Sequence, residues 1–406
     1  MAIIPETEMR NTVWEQIPAN EIVAPESKEE ISEIIAGANR DQKTVLPIGG
    51  GNDLFTANKQ FDIGIDLKNL ASCFRHTPED LTATFAAGML FSEAQEKLKE
   101  SGQWIPLNPP ENGTSTVGGI ISANRFGPRR HRHGTARDWV IATTVVNGEG
   151  KIVKAGANVV KNVSGYDLNK LYIGARGTLG ILLDISFKLA PIPEKRITFR
   201  ACFSTPEEAL GMSNQINNSP VEVEALTVVK GRWTAAKAKH WWVLIELMGT
   251  EQSLADQSTV LSSILEKSSA NRWGEASKED TQFYWKTAQF GNNEASLPFA
   301  EAAISIPKSK VDQLVYNFSM GKPDCSLKIL PASGLVILEL SERSDRSTFI
   351  DQVSEMGGTV EIIGSGVSSV EDRWPIEPPS LPLMKQLKEH LDPQCLFSPG
   401  TFVGGI

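Results

Sequence analysis

The sequence predicts an α+β fold in two parts, and two observations carry this prediction. Between residues 24 and 190, segments with helical periodicity alternate with short apolar runs, which indicates helices interleaved with strands. From Arg196 onward, apolar and polar residues alternate with a period of two, as expected of half-buried strands in an antiparallel sheet. Pro191 and Pro193 separate the two patterns, so we place a domain boundary there.

The composition is that of a folded globular chain. Of its 406 residues 40% are hydrophobic and the net charge is −9, so neither disorder nor a broad basic surface for nucleic acid is indicated. The four cysteines are scattered, which argues against a disulfide framework and favours a reducing, cytoplasmic compartment. The N-terminus lacks a signal-peptide pattern, and the apolar run at residues 241–248 is too short for a bilayer. Any membrane association is expected to be peripheral and through partners.

Helix and strand signals follow one another through the first half. Ser27 and Glu30 form a capping-box pattern before a helix, and residues 44–48 are then predicted as a strand that ends in glycines. A second capped helix is predicted to begin at Ser92, with Gln95 as the capping partner. Further strands are predicted at residues 61–67, 83–89, 139–147 and 181–189, and further helices from Thr116 and over residues 167–175.

The second half has the pattern of two loosely repeated β-α-β-β-α units, which predicts an antiparallel sheet with helices on one side. Its strands are predicted near residues 196–203, 225–230, 242–248, 303–307, 335–340 and 359–363, and its helices near residues 205–217, 251–267, 308–320 and 346–356. A proline-rich segment, residues 374–382, ends this part. The tail adds one helix, residues 384–390, before the sequence DPQCLFSPG.

The first segment with chemical character is PIGGGND, residues 47–53, at the end of a predicted strand. Consecutive glycines permit left-handed dihedrals, so successive N–H groups can converge on an anion such as a pyrophosphate. A flexible turn between two strands is the alternative, which a lone triple glycine does not exclude. No GxGxxG follows a strand and no GxxxxGK[ST] occurs, which disfavours a nicotinamide-type Rossmann domain and a P-loop NTPase.

Two further segments contain paired or repeated glycines. In GTSTVGGIISAN, residues 113–124, small hydroxylated residues open a helix whose first N–H groups are expected to lack partners, which favours an anion or a carbonyl there. An ordinary helix start packed against a sheet is the alternative. After KNVSGYD, residues 161–167, come glycines 174, 177 and 180, which would be costly inside a helix. They indicate a joint where the backbone lies against another group.

The order and spacing of these segments resemble the vanillyl-alcohol oxidase family of FAD proteins, the PCMH-type FAD-binding proteins. PIGGGN, TVGGIISAN, KNVSGYDL, GTLGI and LKEHLDP…SPG span nearly the whole chain. Within the family the sequence is similar to the E subunits of glycolate oxidases, because of GPRR at residues 127–130, the KNVSGYDL run and the short length. The resemblance implies a two-lobed FAD-binding domain, residues 1–193, an α+β cap domain with an antiparallel sheet flanked by helices, residues 194–375, and a C-terminal return, residues 376–406.

The same resemblance implies a non-covalent FAD site. It assigns the first loop to the pyrophosphate, the second segment to the diphosphate and isoalloxazine, and the third to the adenosine half. The residues so assigned are Ile48, Gly49, Gly50, Gly51, Asn52, Asp53, Thr116, Val117, Gly118, Gly119, Ser122, Gly180 and Ile181. Asn52 stands where members that tether FAD covalently commonly have a histidine, so this loop cannot form that link. Arg176 replaces the usual acidic or small residue before GTLG, and Ser398 departs from the usual Asn-Pro-Gly, which leaves their contacts open.

The function implied is that of a redox subunit in which the flavin performs the chemistry. The resemblance implies oxidation of glycolate or a related small 2-hydroxy acid, with a larger FAD subunit and an iron–sulfur subunit as partners and no nucleic acid. The alternatives are a stand-alone FAD-dependent dehydrogenase or oxidase and a non-catalytic scaffold that has lost FAD. The chain lacks the His-x-Gly-Asp-Gly-Asn motif of larger relatives, so we expect no metal site, and we assign no catalytic residue. Substrate, electron acceptor and stoichiometry stay open.

A basic run, RRHRH at residues 129–133 with Arg137 close by, stands out in an acidic chain. It could neutralise a reduced flavin, bind a substrate carboxylate or dock an acidic partner, because arginine forks suit carboxylates and phosphates. A solvated loop is the alternative, and the sequence does not decide between them.

Overall fold

The computed structural model of the protein describes residues 17–406 except for residues 72, 111–112, 160–165, 235–238, 288–299, 322–324, 341–345 and 365–366. The whole KNVSG segment, residues 161–165, on which part of the family resemblance rests, therefore lies outside the described residues.

A parallel sheet and one helix form the first lobe. Its elements are β1 (Ala19–Val23), α1 (Lys28–Asp41), β2 (Val45–Ile48) and β3 (Phe61–Asp66). The sheet has the order β1-β3-β2. Helix α1 buries Ile31, Ile35 and Ala38, which is the apolar stripe that the sequence predicts. Ser27 caps the helix by accepting the N–H of Glu30 at 3.1 Å, as predicted. The Glu30 carboxylate accepts the N–H of Glu26 at 2.8 Å and not that of Ser27, so the reciprocal half of the predicted capping box does not form.

An antiparallel sheet forms the second lobe. Its strands are β4 (Phe74–Thr77), β5 (Thr82–Ala86), β7 (Val140–Val146), β8 (Ile152–Gly156) and β9 (Ile181–Lys188), while β6 (Gln103–Trp104) and β10 (Ala190–Pro191) pair separately. The five strands have the order β4-β5-β9-β7-β8. The helices of this lobe are α2 (Phe91–Lys99), α3 (Val117–Ala123), α4 (Arg130–His133), α5 (Ala136–Trp139) and α6 (Asn169–Tyr172).

The predicted cap at the start of α2 is wrong. The helix begins one residue earlier than Ser92, and no side chain caps it. Gln95 instead accepts the N–H of Ile105 at 3.0 Å and donates to its carbonyl at 2.8 Å. Gln95, which the sequence pattern assigns to the helix cap, therefore holds the backbone that follows β6.

An eight-stranded antiparallel sheet forms the cap. Its elements are β11 (Lys195–Phe203), α7 (Pro206–Asn217), β12 (Val223–Lys230), β13 (Trp241–Gly249), α8 (Glu251–Glu266), β14 (Arg272–Glu275), α9 (Lys278–Thr287), β15 (Ala300–Ser305), α10 (Val311–Gly321), β16 (Leu327–Leu330), β17 (Leu335–Leu340), α11 (Ser347–Glu355) and β18 (Thr359–Gly364). The strand order is β14-β11-β13-β12-β16-β17-β15-β18. The cap therefore consists of two β-α-β-β-α-β halves joined edge to edge through β12 and β16. The predicted repeat is confirmed, although the sequence missed the four-residue strands β14 and β16.

The two faces of the cap sheet are covered differently. Helices α7, α8, α10 and α11 share the large apolar core of one face, as the sequence predicts. Helix α9 lies on the other face, where Tyr284 and Trp285 pack with Trp242 and Leu244. The sequence analysis did not predict α9, so the expectation of helices on one side holds for the four predicted helices and fails for this additional one.

After the cap the chain returns to the first lobe through α12 (Val370–Arg373) and α13 (Leu381–Leu391). Phe397 forms a parallel bridge with Val45. The N–H of Val45 donates to Leu396 at 2.7 Å, and the N–H of Ser398 donates to Val45 at 2.9 Å, so the tail adds to the edge of the first sheet. The boundaries at residues 193 and 375 stay a prediction.

A buried ion pair in the LKEHLDP motif anchors this return. The Nζ atom of Lys388 donates to Asp392 at 2.6 Å, to the carbonyl of Thr178 at 2.7 Å and to that of Phe397 at 2.8 Å. Asp392 is fully buried and also accepts the N–H groups of Leu396 and Phe397. One lysine thus joins the tail to the turn before β9.

Replacing Lys388 with methionine should strongly destabilise the protein. The change leaves the Asp392 carboxylate buried without its counter-charge, which typically costs about 3–5 kcal/mol in the free energy of unfolding. Urea unfolding measures this loss. Lys385→Met, on the exposed face of the same helix, is the matched control, and equal unfolding midpoints for the two variants would refute the anchoring role of Lys388.

Candidate functional site

A cleft with two adjoining parts lies between the two lobes. Its wider part encloses about 910 Å³, including space open to solvent, and is lined by the first loop, α3 and the tail residues Ser398 and Thr401. An inner part of about 480 Å³ extends toward the start of β9. The two parts adjoin one another, since they share the lining residues Pro47, Gly49, Gly119, Ser122 and Arg176.

The structure brings most of the sequence-predicted site residues to this cleft. Those that line it are Gly49, Gly50, Gly51, Asn52, Asp53, Thr116, Gly118, Gly119, Ser122, Gly180 and Ile181. Ile48 and Val117 do not line it, because their side chains are buried in the apolar cores of the two lobes. Contact of any of these residues with a cofactor stays a prediction.

The first loop and the segment before α3 are in direct contact. The hydroxyl of Thr114 donates to the amide oxygen of Asn52 at 2.8 Å, and the amide nitrogen of Asn52 donates to Ser115 at 3.1 Å. A Cβ atom at Gly50 would lie 1.7 Å from the carbonyl oxygen of Thr114. Glycine is therefore required at position 50 by the contact between the two loops themselves.

The first loop presents unpaired backbone donors to the cleft. Within the described part of the chain, the N–H groups of residues 49–51 donate to no protein acceptor. Gly51 has a φ of 77°, a left-handed conformation that turns the backbone back on itself. Successive N–H groups in such a turn form a concave site for an anion.

The N–H groups at the start of α3 are not available in the same way. The N–H of Val117 donates to Met89 at 2.8 Å, and that of Gly118 donates to Ala87 at 2.8 Å. The N–H of Gly119 donates to the Thr116 hydroxyl, which caps the helix. The expectation that these groups lack partners is therefore wrong, because the chain before α2 and the capping side chain use them.

The adjacent glycines of α3 have different surroundings. A Cβ atom at Gly118 would lie 2.7 Å from the Cβ of Ala87, so this glycine permits close packing on the second lobe. A Cβ atom at Gly119 would meet only the Thr116 hydroxyl, at 3.0 Å, and otherwise points into the cleft. Gly119 is thus the glycine whose missing side chain leaves room for a ligand.

The glycine-rich joint before β9 packs against the end of α3. The N–H of Gly174 donates to Ile121 at 3.1 Å, and the N–H of Arg176 donates to Ser122 at 2.8 Å. Gly180 has a φ of 149°, and a Cβ atom there would lie 2.8 Å from the carbonyl oxygen of Val146. The prediction that these glycines mark a joint against other backbone is confirmed.

Five buried charged residues join the lobes to the cap, and we call them the ionic cluster: Asp53, Arg125, Arg176, Glu361 and Arg373. Arg125 binds Asp53 through two nitrogens, at 2.6 and 2.5 Å, and binds Glu361 at 3.2 Å. Arg373 donates to Asp53 and Glu361, each at 2.8 Å, and Arg176 donates to Glu361 at 2.5 Å and lies 3.3 Å from Asp53. The side chains are between 5% and 21% exposed.

The arginines of the ionic cluster keep its carboxylates ionised. Burial by itself raises the pKa of Glu361, but the charges of Arg125, Arg176 and Arg373 outweigh burial and lower it from 4.5 to about 2. Asp53 is affected in the same way, and its pKa also lies well below the usual range. The cluster is therefore fully charged at neutral pH.

The basic run forms α4 and docks it on acidic residues of the cap. Arg129 binds the buried Glu246 at 2.9 Å, and Arg132 binds Glu224 at 3.3 Å. His133 also contacts Glu224. Of the roles that the sequence left open, the structure therefore supports docking of an acidic surface, and that surface belongs to the same chain.

Comparisons with known proteins agree with this architecture. The model of a family described as "FAD binding domain" matches residues 19–156. These residues form an FAD-binding domain. The chain is an FAD-dependent oxidoreductase, and its cofactor is FAD.

Two curated relatives extend over most of the flavoprotein. Glycolate oxidase subunit GlcD of Bacillus subtilis (strain 168) is 27% identical over 93% of this chain and 88% of its own length. Glycolate oxidase subunit GlcE of Escherichia coli (strain K12) is 27% identical over 88% of this chain and 92% of its own length. The solved structure of p-cresol methylhydroxylase with substrate bound superimposes with a TM-score of 0.72 at 14% identity, over 94% of this chain and 88% of that one. The fold is therefore of the PCMH type.

Sequence reasoning missed part of the site. Arg125 directly follows the predicted TVGGIISAN segment, and Arg176 was noted only as a departure from the family. Glu361 lies in the cap and Arg373 lies in α12, and neither carries a local signal, because only the tertiary fold brings them to Asp53 and the two cleft arginines.

In the described ranges, no group of three or more His, Cys, Asp or Glu side chains is placed to hold a metal ion. No helix in those ranges has both the length and the apolar character needed to cross a bilayer.

Glu361→Gln should flatten the acid side of the stability profile. The folded pKa is lowered, so the stabilisation from Glu361 is complete above its ordinary pKa of 4.5 and is lost as the pH falls toward 2. Between about pH 6 and about pH 3, the thermal unfolding temperature of wild type should therefore fall more steeply than that of the variant. The exposed Glu355→Gln is the control, and parallel profiles for wild type and Glu361→Gln would contradict the assignment.

Proposed function

We propose that this chain is a non-covalent FAD-binding subunit of a complex that oxidises glycolate or a related 2-hydroxy acid, similar in role to the glycolate oxidase component GlcE. The observation that carries the proposal is the cleft between the lobes, where the unpaired N–H groups of residues 49–51 face Gly119 across a contact between two loops. Such donors suit a diphosphate, and the missing side chain at Gly119 suits a flat ring system.

The residues of the cleft fit FAD in both chemistry and shape. The first-loop N–H groups would hold the diphosphate, Gly119 and Ser122 would lie beside it, and Gly180 and Ile181 would line the inner part for the adenosine half. Bound FAD supplies the electron-pair acceptor for the oxidation, while the protein supplies binding and orientation.

Asn52 supports non-covalent binding. Its side-chain amide is held between Thr114 and Ser115 and offers no nucleophile for a flavin link at this loop. Acid denaturation should therefore release the entire flavin into the supernatant. Yellow colour retained in the precipitated protein would contradict this proposal.

An accessory rather than a self-sufficient role is supported by the charged groups of the cleft. Among its described lining residues the charged side chains are Asp53, Arg125 and Arg176, and all three are ion-paired in the ionic cluster. None of these is a free general base for the hydroxyl proton of a 2-hydroxy acid. A larger FAD subunit would then perform the first oxidation, and an iron–sulfur subunit would accept electrons.

Three measurements on the purified chain test the proposal against its rivals. A flavin absorption spectrum without turnover of glycolate or D-lactate to a dye acceptor supports the accessory role. Turnover by the isolated chain favours a stand-alone dehydrogenase or oxidase. A colourless protein that does not take up added FAD favours a scaffold. Co-purification from the native host identifies the partner subunits.

Gly119→Val should weaken FAD binding at least tenfold, about 1.4 kcal/mol. The new side chain enters the cleft and meets only the Thr116 hydroxyl of the protein, so folding should be largely preserved. Titration of the apo-protein with FAD measures the affinity, and circular dichroism measures folding. Gly211→Val, on α7, where a Cβ atom has no neighbour within 4 Å, is the control. Unchanged affinity in Gly119→Val would reject this part of the site.

Bulky residues at Gly50 and Gly118 are less informative tests. Both glycines face other parts of the protein at less than 3 Å, so substitution there disturbs the contact between the loops or the packing of α3 before it disturbs a ligand.

A further inference from the structure

Counted over the part of the chain that the structure describes, the ionic cluster carries one positive charge in excess. It contains three guanidinium groups and two carboxylates, and its side chains are largely withdrawn from water. Buried charges are ordinarily compensated, because an unpaired ion loses its hydration without gaining a partner. The excess therefore indicates a binding place for an additional anion.

The excess charge faces the cleft. Arg125 and Arg176 line it, whereas Arg373 does not. Arg125 donates two hydrogen bonds to Asp53, at 2.6 and 2.5 Å, and also binds Glu361. The contact of Arg176 with Asp53 is longer than these two bonds, at 3.3 Å. Arg176 also lines the inner part of the cleft, so its guanidinium lies where the two parts meet.

The electrostatics of Arg176 agree with this geometry. Burial lowers the pKa of Arg176, as does the neighbouring charge of Arg373, although Asp53 and Glu361 act in the opposite direction. The pKa of Arg125, in contrast, is raised. Burial lowers it, but the charges of Asp53 and Glu361 outweigh burial. Arg176 is thus the arginine of the pair whose charge is less well compensated.

We propose that Arg176, with Arg125 beside it, forms an anion subsite that binds the diphosphate of FAD and thereby couples cofactor binding to docking of the cap. The inference rests on the proposed function, since it takes FAD as the occupant of the cleft. The diphosphate is the better match for this subsite because Asp53 belongs to the same loop as the free N–H groups of residues 49–51. A substrate carboxylate has the same anionic oxygens and is the other source.

Coupling to the cap follows from the shared partners. Glu361 is on β18 of the cap and is held by Arg125, Arg176 and Arg373 together. An anion beside Arg176 reduces the repulsion among these three guanidinium groups. Bound FAD therefore strengthens the contact between β18 and the lobes, and its removal weakens that contact.

Two substitutions change the charge of the cluster in opposite directions. Arg176→Gln brings the net charge to zero, whereas Glu361→Gln raises it to two. Both remove the same ion pair, so a purely structural role predicts weaker FAD binding in both. The anion subsite instead predicts at least tenfold weaker binding in Arg176→Gln and binding no weaker than wild type in Glu361→Gln.

Titration of the apo-proteins with FAD at low and high salt measures this difference. The dissociation constant of wild type should rise with salt more steeply than that of Arg176→Gln, because the lost interaction is electrostatic. Arg346→Gln is the matched control, since Arg346 is a buried arginine paired with Asp372 outside the cleft. Circular dichroism confirms folding of each variant, and Arg176→Lys should partly restore affinity by returning the charge.

ADP and riboflavin distinguish the two sources of the anion. ADP carries the diphosphate without the flavin, so its affinity should fall in Arg176→Gln, while riboflavin, which has no phosphate, should bind both proteins equally. If Arg176→Gln binds FAD and ADP as tightly as wild type does, the inference is overturned. This holds even if the partner-containing complex with Arg176→Gln has a higher KM for its hydroxy acid. A wild-type apo-protein that binds no FAD refutes the proposed function instead.

Hydrogen exchange measures the coupling to the cap. FAD should slow exchange of the β18 amides in wild type and should slow it less in Arg176→Gln at saturating FAD. Equal protection in both proteins would separate cofactor binding from cap docking and overturn that half of the inference.

Discussion

The simultaneous pairing of five buried charges constrains the rest of this structure. Asp53 belongs to the first loop, Arg125 follows the second glycine segment, and Arg176 lies within the third. Glu361 belongs to the cap and Arg373 to α12. None of these ions can be withdrawn from water alone, so the chain segments that carry them must meet for any of them to be buried. The ionic cluster therefore fixes the cap at the mouth of the cleft.

A second buried ion, Lys388, joins other segments that are far apart in sequence. Its ammonium group is shared by the tail and by the Thr178 turn, so the first sheet, the joint before β9 and the C-terminus are held together. Thr178 lies between Gly177 and Gly180, which line the inner part of the cleft. Apolar packing supplies the lobes and the cap, while these contacts set their mutual orientation.

The fold was predictable where local rules apply. Ser27 capped α1, the period-two pattern gave the cap strands, and glycines 174, 177 and 180 marked a joint. Prediction failed where a distant partner decides, as for Gln95, which binds Ile105 rather than a helix end. It missed α9 altogether, and the buried side chains of that helix, Tyr284 and Trp285, pack on a face of the sheet where no helix was expected.

The sequence alone determined the α+β class and the repeat in the cap, because hydrophobic period is a local property, and the family resemblance supplied most of the glycines that line the cleft. Only the tertiary structure decided which N–H groups stay free, since those of α3 find partners in residues 87 and 89 while those of residues 49–51 do not. It also decided that the basic run docks the cap and that Arg176 faces the cleft. Hydrogen bonds and ion pairs between distant segments depend on three-dimensional position, which no single stretch of sequence encodes.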